Sequence, residues 1–148
     1  MASTQQNIVT QGKIIAAATL GNTWRALRWI YSPEKNDGRD SEKGYAVAPD
    51  QADFDESGVL GYETLNHEFL LLLSDVVARY DSDDDVQTVL NSLYDKGDQV
   101  FKQFVNTRMN LPASVLKVDS RSIEAPVIAN GAVYLRMRFV VKYRQSLL

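Results

Sequence analysis

The segment Leu65–Arg79 constrains the fold most, because its middle is apolar on both faces of a strand. Successive residues of a strand point to opposite faces. The odd-numbered positions from Leu65 to Leu73 therefore line one face, and Leu70 and Leu72 line the other. A strand that is apolar on both sides is typical of the centre of a sheet whose two faces are covered. The segment is also long for a strand, which indicates ends that bend or extend beyond the core.

A long amphipathic helix is predicted from Ser82 to about Asn106. Its apolar residues recur at steps of three and four, which places them on one helical stripe. They are Val86, Val89, Leu90, Leu93, Tyr94, Val100, Phe101, Phe104 and Val105. Ser82 and Asp85 form an approximate capping box, and carboxylates in the first turn favour the positive end of the helix dipole. Gly97 indicates a kink or a close contact within this helix.

The last strand, Val133–Arg144, alternates most regularly. One face consists of Val133, Leu135, Met137, Phe139, Val141 and Tyr143. The other consists of Tyr134, Arg136, Arg138, Val140, Lys142 and Arg144. The dipeptide Asn130-Gly131 before the strand is typical of a hairpin turn. We predict that the apolar face packs on the core and that the basic face is exposed or lies in an interface.

The N-terminal part of the chain gives weaker patterns. Residues 3–20 predict a helix that Ser3 or Thr4 caps and that ends before Gly21. The segment Trp24–Tyr31 is rich in aromatic and aliphatic residues but alternates poorly, so strand and helix both fit, and we favour strand.

A polar segment separates this part from the central strand. Charged and turn-forming residues predict a long exposed loop over about 33–61. A short strand is possible at Tyr45–Ala48, stopped by Pro49, and a further strand is predicted at Val115–Ser120. The chain is therefore predicted to be a single α+β domain over residues 1–148. Its mixed or antiparallel sheet of about four to five strands is flanked by an N-terminal helix and one long amphipathic helix.

Composition excludes several classes of chemistry. The chain has no cysteine, which excludes disulfides and thiolate metal sites. A net charge of -3 argues against bulk affinity for nucleic acid or anionic membranes. The longest apolar run, Phe69–Leu73, is far short of a membrane span. Nucleotide-binding, nucleophile-elbow and zinc-protease patterns are missing, so we expect no enzyme activity and no cofactor.

Two features resemble catalytic or metal sites without completing one. The acidic run that begins at Asp81 resembles the start of a calcium loop, but Val86 replaces the required glycine and Ser92 the required glutamate. The helix start explains the same carboxylates, so no metal site is predicted. His67 is the only histidine. We expect it to be a hydrogen-bonded core or interface residue, since a catalytic base needs a partner group within reach.

Two charged sets form the candidate interaction surface. They are a basic stripe of Arg136, Arg138, Lys142 and Arg144, and an acidic segment with Asp50, Asp53, Asp55 and Glu56. Like charges along one strand face need water, an acidic partner or phosphate. An acidic protein surface is favoured over nucleic acid, because the stripe lacks aromatic stacking platforms, and a merely solvated face is the plain alternative. Paired carboxylates for acid–base catalysis would need a fixed separation, which a polar loop does not provide.

Three segments carry a resemblance to a known family. Lys43–Ser57 has a short strand ending in Ala-Pro before acidic residues, and Glu63–Arg79 is a long strand that leads into the amphipathic helix. Ser122–Arg144 has a turn and a final strand of alternating basic and apolar residues. Together they resemble the tail terminator proteins of long-tailed bacteriophages, also called tail completion or head–tail joining proteins. The resemblance is one of pattern and covers about Gly44 to Arg144.

The resemblance implies a structural virion protein. It implies a hexameric ring that caps the tail tube, ends tube polymerisation and joins the tail to the neck of the head, with no catalytic residues or cofactors. The implied partners are the tail tube protein, a neck or head-completion protein and, in a contractile tail, the sheath protein. No membrane and no sequence-specific nucleic acid is expected. The implied location is the head–tail junction of the virion, after assembly in the host cytoplasm.

Within such a ring, we expect the acidic segment of one subunit to face a basic patch of the next subunit or of the tube. Other functions stay open at this point. The chain also fits another neck or tail component, such as a head-completion, stopper or tube protein. A small α/β enzyme would require a pocket of converging polar groups near His67. A non-viral adaptor domain is a further alternative.

Overall fold

The computed structural model describes residues 3–36, 41–55, 62–77 and 82–146. The helices are α1 (Thr4–Leu20) and α2 (Asp83–Thr107), and the strands are β1 (Arg25–Ala26), β2 (Gly44–Asp55), β3 (Tyr62–Val76), β4 (Val115–Ile123), β5 (Val127–Ala129) and β6 (Ala132–Ser146). Short 3-10 turns occupy Pro33–Lys35 and Arg108–Asn110. The α+β fold class predicted from the sequence is confirmed. Within the described residues the sheet has six strands, two of which, β1 and β5, are only two and three residues long.

The sheet is mixed, and β3 lies at its centre. Its strand order is β1-β2-β3-β6-β4, and β5 pairs with β6. The β1–β2 pair is parallel, whereas the other pairs are antiparallel. Strand β3 pairs with β6 along its whole length, from Tyr62 opposite Ser146 to Val76 opposite Ala132. This arrangement confirms the central position predicted for the segment that begins at Leu65.

The main core lies between the two helices and one face of the sheet. Phe139 of β6 is fully buried there, and its ring packs against Phe69 of β3 and against Phe101 and Phe104 of α2. All six residues predicted for the apolar face of the last strand are buried. Burying one large apolar side chain contributes about 1.5–3 kcal/mol, so this shared core is what holds the helices to the sheet.

Gly97 marks a close contact between α2 and β6 rather than a kink. A Cβ atom at this position would lie 2.3 Å from the Sδ atom of Met137, whereas α2 is continuous through it. The absence of a side chain at Gly97 therefore lets the helix approach the sheet closely.

The helix α2 begins where the sequence predicts, because the Ser82 Oγ accepts a hydrogen bond from the Asp85 N–H at 3.4 Å.

The predicted hairpin at Asn130-Gly131 is confirmed. Both residues have a positive φ, 54° and 74°, as a two-residue hairpin turn of this kind requires. The Asn130 side chain also donates a hydrogen bond to the Glu34 carbonyl at 2.7 Å. The turn that joins β5 to β6 is therefore attached to the segment before β2.

The strand predicted over Trp24–Tyr31 is wrong except for Arg25–Ala26. After β1 the chain leaves the sheet edge and crosses over the face opposite the helices. Leu27 and Ile30 pack there against Leu72 and Tyr134. Tyr134 is consequently buried, although the sequence placed it on an exposed or interfacial face.

The long loop predicted over 33–61 is wrong in its middle, because Gly44–Asp55 forms the 12-residue strand β2. This strand pairs with β3 from Gly44 opposite Ser74 to Asp55 opposite Thr64. Pro49 does not stop it, because the register shifts between Pro49 and Ala52, and a proline is tolerated at such a bulge. Residues 37–40 and 56–61 of the predicted loop lie outside the described residues.

Candidate interaction surface

The basic stripe predicted from the sequence lies on the face of the sheet opposite the helices, which we call the open face. Arg136, Arg138 and Lys142 are half-buried there, and Arg144 is exposed at the end of β6. The segment Leu27–Asn36 covers only the part of this face near Leu72 and Tyr134. The remaining part carries the charged side chains.

Arg138 is the centre of an ion-pair network on the open face. Its Nε donates a hydrogen bond to Glu124 Oε1 at 2.8 Å, and one terminal guanidinium nitrogen contacts the Asp50 carboxylate. The other oxygen of the same carboxylate, Glu124 Oε2, lies 2.9 Å from Arg136 Nε. A single carboxylate therefore serves two arginines, and the network connects β2, β6 and the residue that follows β4.

Two further ion pairs extend this pattern of alternating charge. Arg121 Nε lies 3.1 Å from Glu68 Oε1, and Lys117 Nζ lies 3.2 Å from Asp119 Oδ2. The Arg121–Glu68 pair reaches from β4 across β6 to β3, whereas Lys117 and Asp119 both lie on β4 and form an exposed pair that contributes little. The open face is therefore a surface of mixed charge rather than a uniformly basic stripe.

The structure brings only part of the predicted acidic set to the basic stripe. Asp50 pairs with Arg138 within the same chain. The backbones of Asp53 and Asp55 pair with Asn66 and Thr64 of β3, and Glu56 lies outside the described residues. The Asp50 contact already compensates part of the charge of Arg138, so the exposed Arg144 is better placed to meet another molecule.

Glu124 and Arg121 also belong to this surface, although the sequence pattern did not indicate them. Both lie in or after β4, where the alternation is interrupted by register shifts. Glu68 follows the same alternation as Leu70 and Leu72, so the pattern of β3 already placed it on the open face.

His67 is a structural link between three strands. It is 4% exposed, and its Nδ1 and Nε2 lie 3.1 Å from the Tyr143 hydroxyl and the Asp50 carbonyl oxygen, respectively. A carbonyl only accepts, so Nε2 carries the proton and Nδ1 accepts from the Tyr143 hydroxyl. Asp50 lies at the bulge of β2, and His67 thus satisfies a carbonyl there. The prediction of a hydrogen-bonded core histidine is confirmed.

Burial keeps both side chains of this link neutral near neutral pH. It lowers the pKa of His67 from its ordinary value of 6.5. Burial, and then the negative charge of Glu63, raise the pKa of Tyr143 from its ordinary value of 10.0. A neutral imidazole with both nitrogens engaged is suited to holding strands together, and neither nitrogen is available to a substrate.

We expect the His67 link to make stability fall under mildly acidic conditions. Below pH 6.5 the unfolded chain protonates His67 before the folded chain does, so the free energy of unfolding decreases as pH falls. The variant His67→Gln retains a donor for the Asp50 carbonyl but does not titrate. Urea unfolding should show that the stability of the native chain, relative to this variant, declines between about pH 7.5 and about pH 5. A difference that stays constant over this range would contradict the assignment.

The described residues also bear on metal binding and on membrane crossing. They contain no group of three or more histidine, aspartate or glutamate side chains that could hold a metal ion. The three aspartates after Ser82 form the first turn of α2, as the helix interpretation predicts. Neither of the two described helices is both long and apolar enough to cross a membrane.

In comparisons with known proteins, no family model matches the chain, and no curated protein shows a significant sequence match.

Proposed function

We propose that this chain is a structural subunit of the tail terminator type. It forms a ring at the top of a phage tail, ends polymerisation of the tail tube and joins the tail to the head. The observation that carries the proposal is the open face, a preformed surface of paired charges on a sheet that is supported by helices on its other side. The resemblance of Lys43–Ser57, Glu63–Arg79 and Ser122–Arg144 to this family supports it.

A surface of this kind is suited to docking against another protein. Fixed charges of both signs select the partner and its register more than they add affinity. The ion-pair network holds Arg136 and Arg138 in place before any contact, which reduces the ordering cost of association. The lone histidine is engaged in a structural link, so we assign no catalytic role to His67.

The two helices favour a terminator over a tube protein. A tube protein would be mostly β-structure with a long inter-subunit hairpin. In this chain, helices of 17 and 25 residues pack against one face of the sheet. The proposed partners are further copies of the chain in a hexameric ring, the tail tube protein, a neck or head-completion protein and, in a contractile tail, the sheath protein. The proposed location is the head–tail junction of the virion.

Mass measurement and electron microscopy test this proposal. Light scattering of the purified chain should give a closed ring six times the 16.6 kDa mass of one chain, and adding its tail tube protein should give a heavier complex that contains this ring. Micrographs of assembled tails should show the ring at one end of the tube. A chain that stays monomeric in both samples would contradict the proposal.

A matched pair of charge reversals tests the role of the open face. Arg144→Glu changes an exposed residue of the basic stripe and should reduce ring formation or tail joining. Lys13→Glu changes an exposed residue of α1 and should leave both unchanged. Equal behaviour of the two variants would exclude the basic end of the open face from assembly.

A further inference from the structure

The segment before β2 exposes two aromatic side chains on a fixed backbone. Trp29 is 40% exposed and Tyr31 is 65% exposed. The buried Asn36 side chain holds the backbone, because its Oδ1 accepts from the Trp29 N–H at 3.0 Å and its Nδ2 donates to the Trp29 and Pro33 carbonyls at 2.9 and 3.0 Å. The Tyr31 hydroxyl donates to the Pro49 carbonyl at 2.7 Å. The rings are therefore exposed without being loosely attached.

Two cations flank the exposed tryptophan. The Arg28 guanidinium carbon lies 5.8 Å from the centroid of the Trp29 ring, and Lys35 Nζ lies 4.9 Å from it. We call Arg28, Trp29, Tyr31 and Lys35 the aromatic knob. Tryptophan, tyrosine and arginine are the residue types that dominate the energetics of protein interfaces. A rigid group of them at the surface indicates a contact with another protein.

A groove of matching character lies between α2 and β4. Its apolar lining comes from Leu71, Phe101, Ile123, Met137 and Phe139, and the exposed Asp98 also lines it. Its volume is about 230 Å³, below the roughly 300–1,000 Å³ of small-molecule sites but suited to one large side chain. Ile123 is 50% exposed beside it.

The groove also carries one carboxylate, that of the exposed Asp98. Two arginines line it as well, but each is already paired, Arg121 with Glu68 and Arg138 with Glu124 and Asp50. Asp98 is therefore the charged group of the groove that complements the cations that flank Trp29. The groove matches the aromatic knob in its apolar lining and through this carboxylate.

The knob and the groove lie on opposite sides of the sheet. The knob segment packs on the open face through Leu27 and Ile30, whereas the groove is on the helix side. Two different, complementary patches on opposite sides of one subunit produce a head-to-tail contact, which closes into a ring when the rotation permits.

We propose that Trp29 of one copy of this chain inserts into the α2–β4 groove of the next copy. Arg28 and Lys35 then face Asp98 across the contact. The inference rests on the proposed ring, and it specifies one contact between neighbouring subunits of that ring.

Cysteine cross-linking tests the contact directly, because the chain contains no cysteine. The variant Lys35→Cys/Asp98→Cys leaves Trp29 and the apolar lining intact. A disulfide requires Cα atoms within about 7 Å, so oxidation should produce a ladder of linked chains up to the full ring. The matched control Lys35→Cys/Lys13→Cys, in which the second cysteine lies on the exposed side of α1, should give nothing larger than a dimer.

The outcomes separate this inference from the proposed function. Native rings of uniform mass with no ladder beyond the dimer would overturn the inference and leave the proposed function standing. A native chain that forms no ring with or without its tube protein would overturn both.

Replacing Trp29 of the aromatic knob by alanine gives a second test of the proposed contact. Trp29→Ala should weaken self-association in sedimentation experiments by roughly 30-fold, the effect of one interface hot spot. Glu34→Ala, an exposed residue of the same segment, should change it by less than about threefold. Equal association of Trp29→Ala and the native chain, with unchanged thermal unfolding, would contradict the insertion.

Discussion

Replacing Phe139 by alanine is expected to lower the free energy of unfolding by about 3–5 kcal/mol. Its ring is fully buried, with centroid distances of 5.7 Å to Phe69, 5.1 Å to Phe104 and 6.4 Å to Phe101. Truncation removes these contacts and leaves a cavity where β3, β6 and α2 meet. A loss of this size is a large part of the roughly 5–15 kcal/mol that stabilises a typical domain.

Urea unfolding monitored by circular dichroism measures this loss. Phe139→Leu serves as the control, because it keeps an apolar side chain and should cost about 1.5 kcal/mol. Phe139 is followed and preceded on β6 by residues of the open face, including Arg138. We therefore expect Phe139→Ala to weaken ring assembly as well. A loss below about 1 kcal/mol would contradict the central role of this aromatic cluster.

The elements with strong periodic patterns were predictable from the sequence. Strand β6 alternates apolar and basic residues, and α2 carries a continuous apolar stripe that starts at a capping serine. In both elements, the face that the sequence pattern makes apolar is the face that the fold packs against the core. The hairpin at Asn130-Gly131 was predictable for the same reason, since its residues suit the positive φ angles that the turn needs.

The helix α1 was predicted at its observed place, but the segment from Trp24 to Asp55 could not be predicted in this way, because distant contacts determine its conformation. The side chain of Asn36 and the surface formed by Leu72 and Tyr134 hold the segment around Trp29 away from a regular strand. Strand β2 contains Pro49 and several acidic residues, which favour a loop locally. Pairing with β3 and a bulge at Pro49 outweigh that preference.

In the candidate interaction surface, the positions of the basic residues of β6 were predictable from the sequence, but their ion-pair partners were not. The alternation of β6 gives the positions of its basic residues, but the strand register brings Asp50 of β2 to Arg138 and Glu68 of β3 to Arg121 of β4. Glu124 lies in the irregular stretch after β4 and has no periodic neighbour that marks its face. Partners that meet through sheet register are non-local, so sequence pattern alone predicts charges and not their pairing.

Replacing Glu124 by alanine is expected to lower the free energy of unfolding by about 2 kcal/mol. Removing one partner of a buried ion pair costs about 3–5 kcal/mol, and we reduce this value because the side chains of Glu124, Arg136 and Arg138 are between a quarter and a third exposed. The variant leaves two guanidinium groups near each other without their shared carboxylate. Asp119→Ala removes the exposed partner of Lys117 and should cost less than about 0.5 kcal/mol in the same urea experiment.

A triple variant that removes these charges separates the contribution of the network to stability from its proposed role in assembly. In an Arg136→Met/Arg138→Met background, Glu124→Leu should cost little or even stabilise the chain, because apolar residues of similar size replace a network of half-buried charges. If the charges of the open face guide docking, this stable triple variant should nevertheless fail to form rings or join tails. A triple variant that is as stable as the native chain and assembles normally would show that the network serves the fold alone.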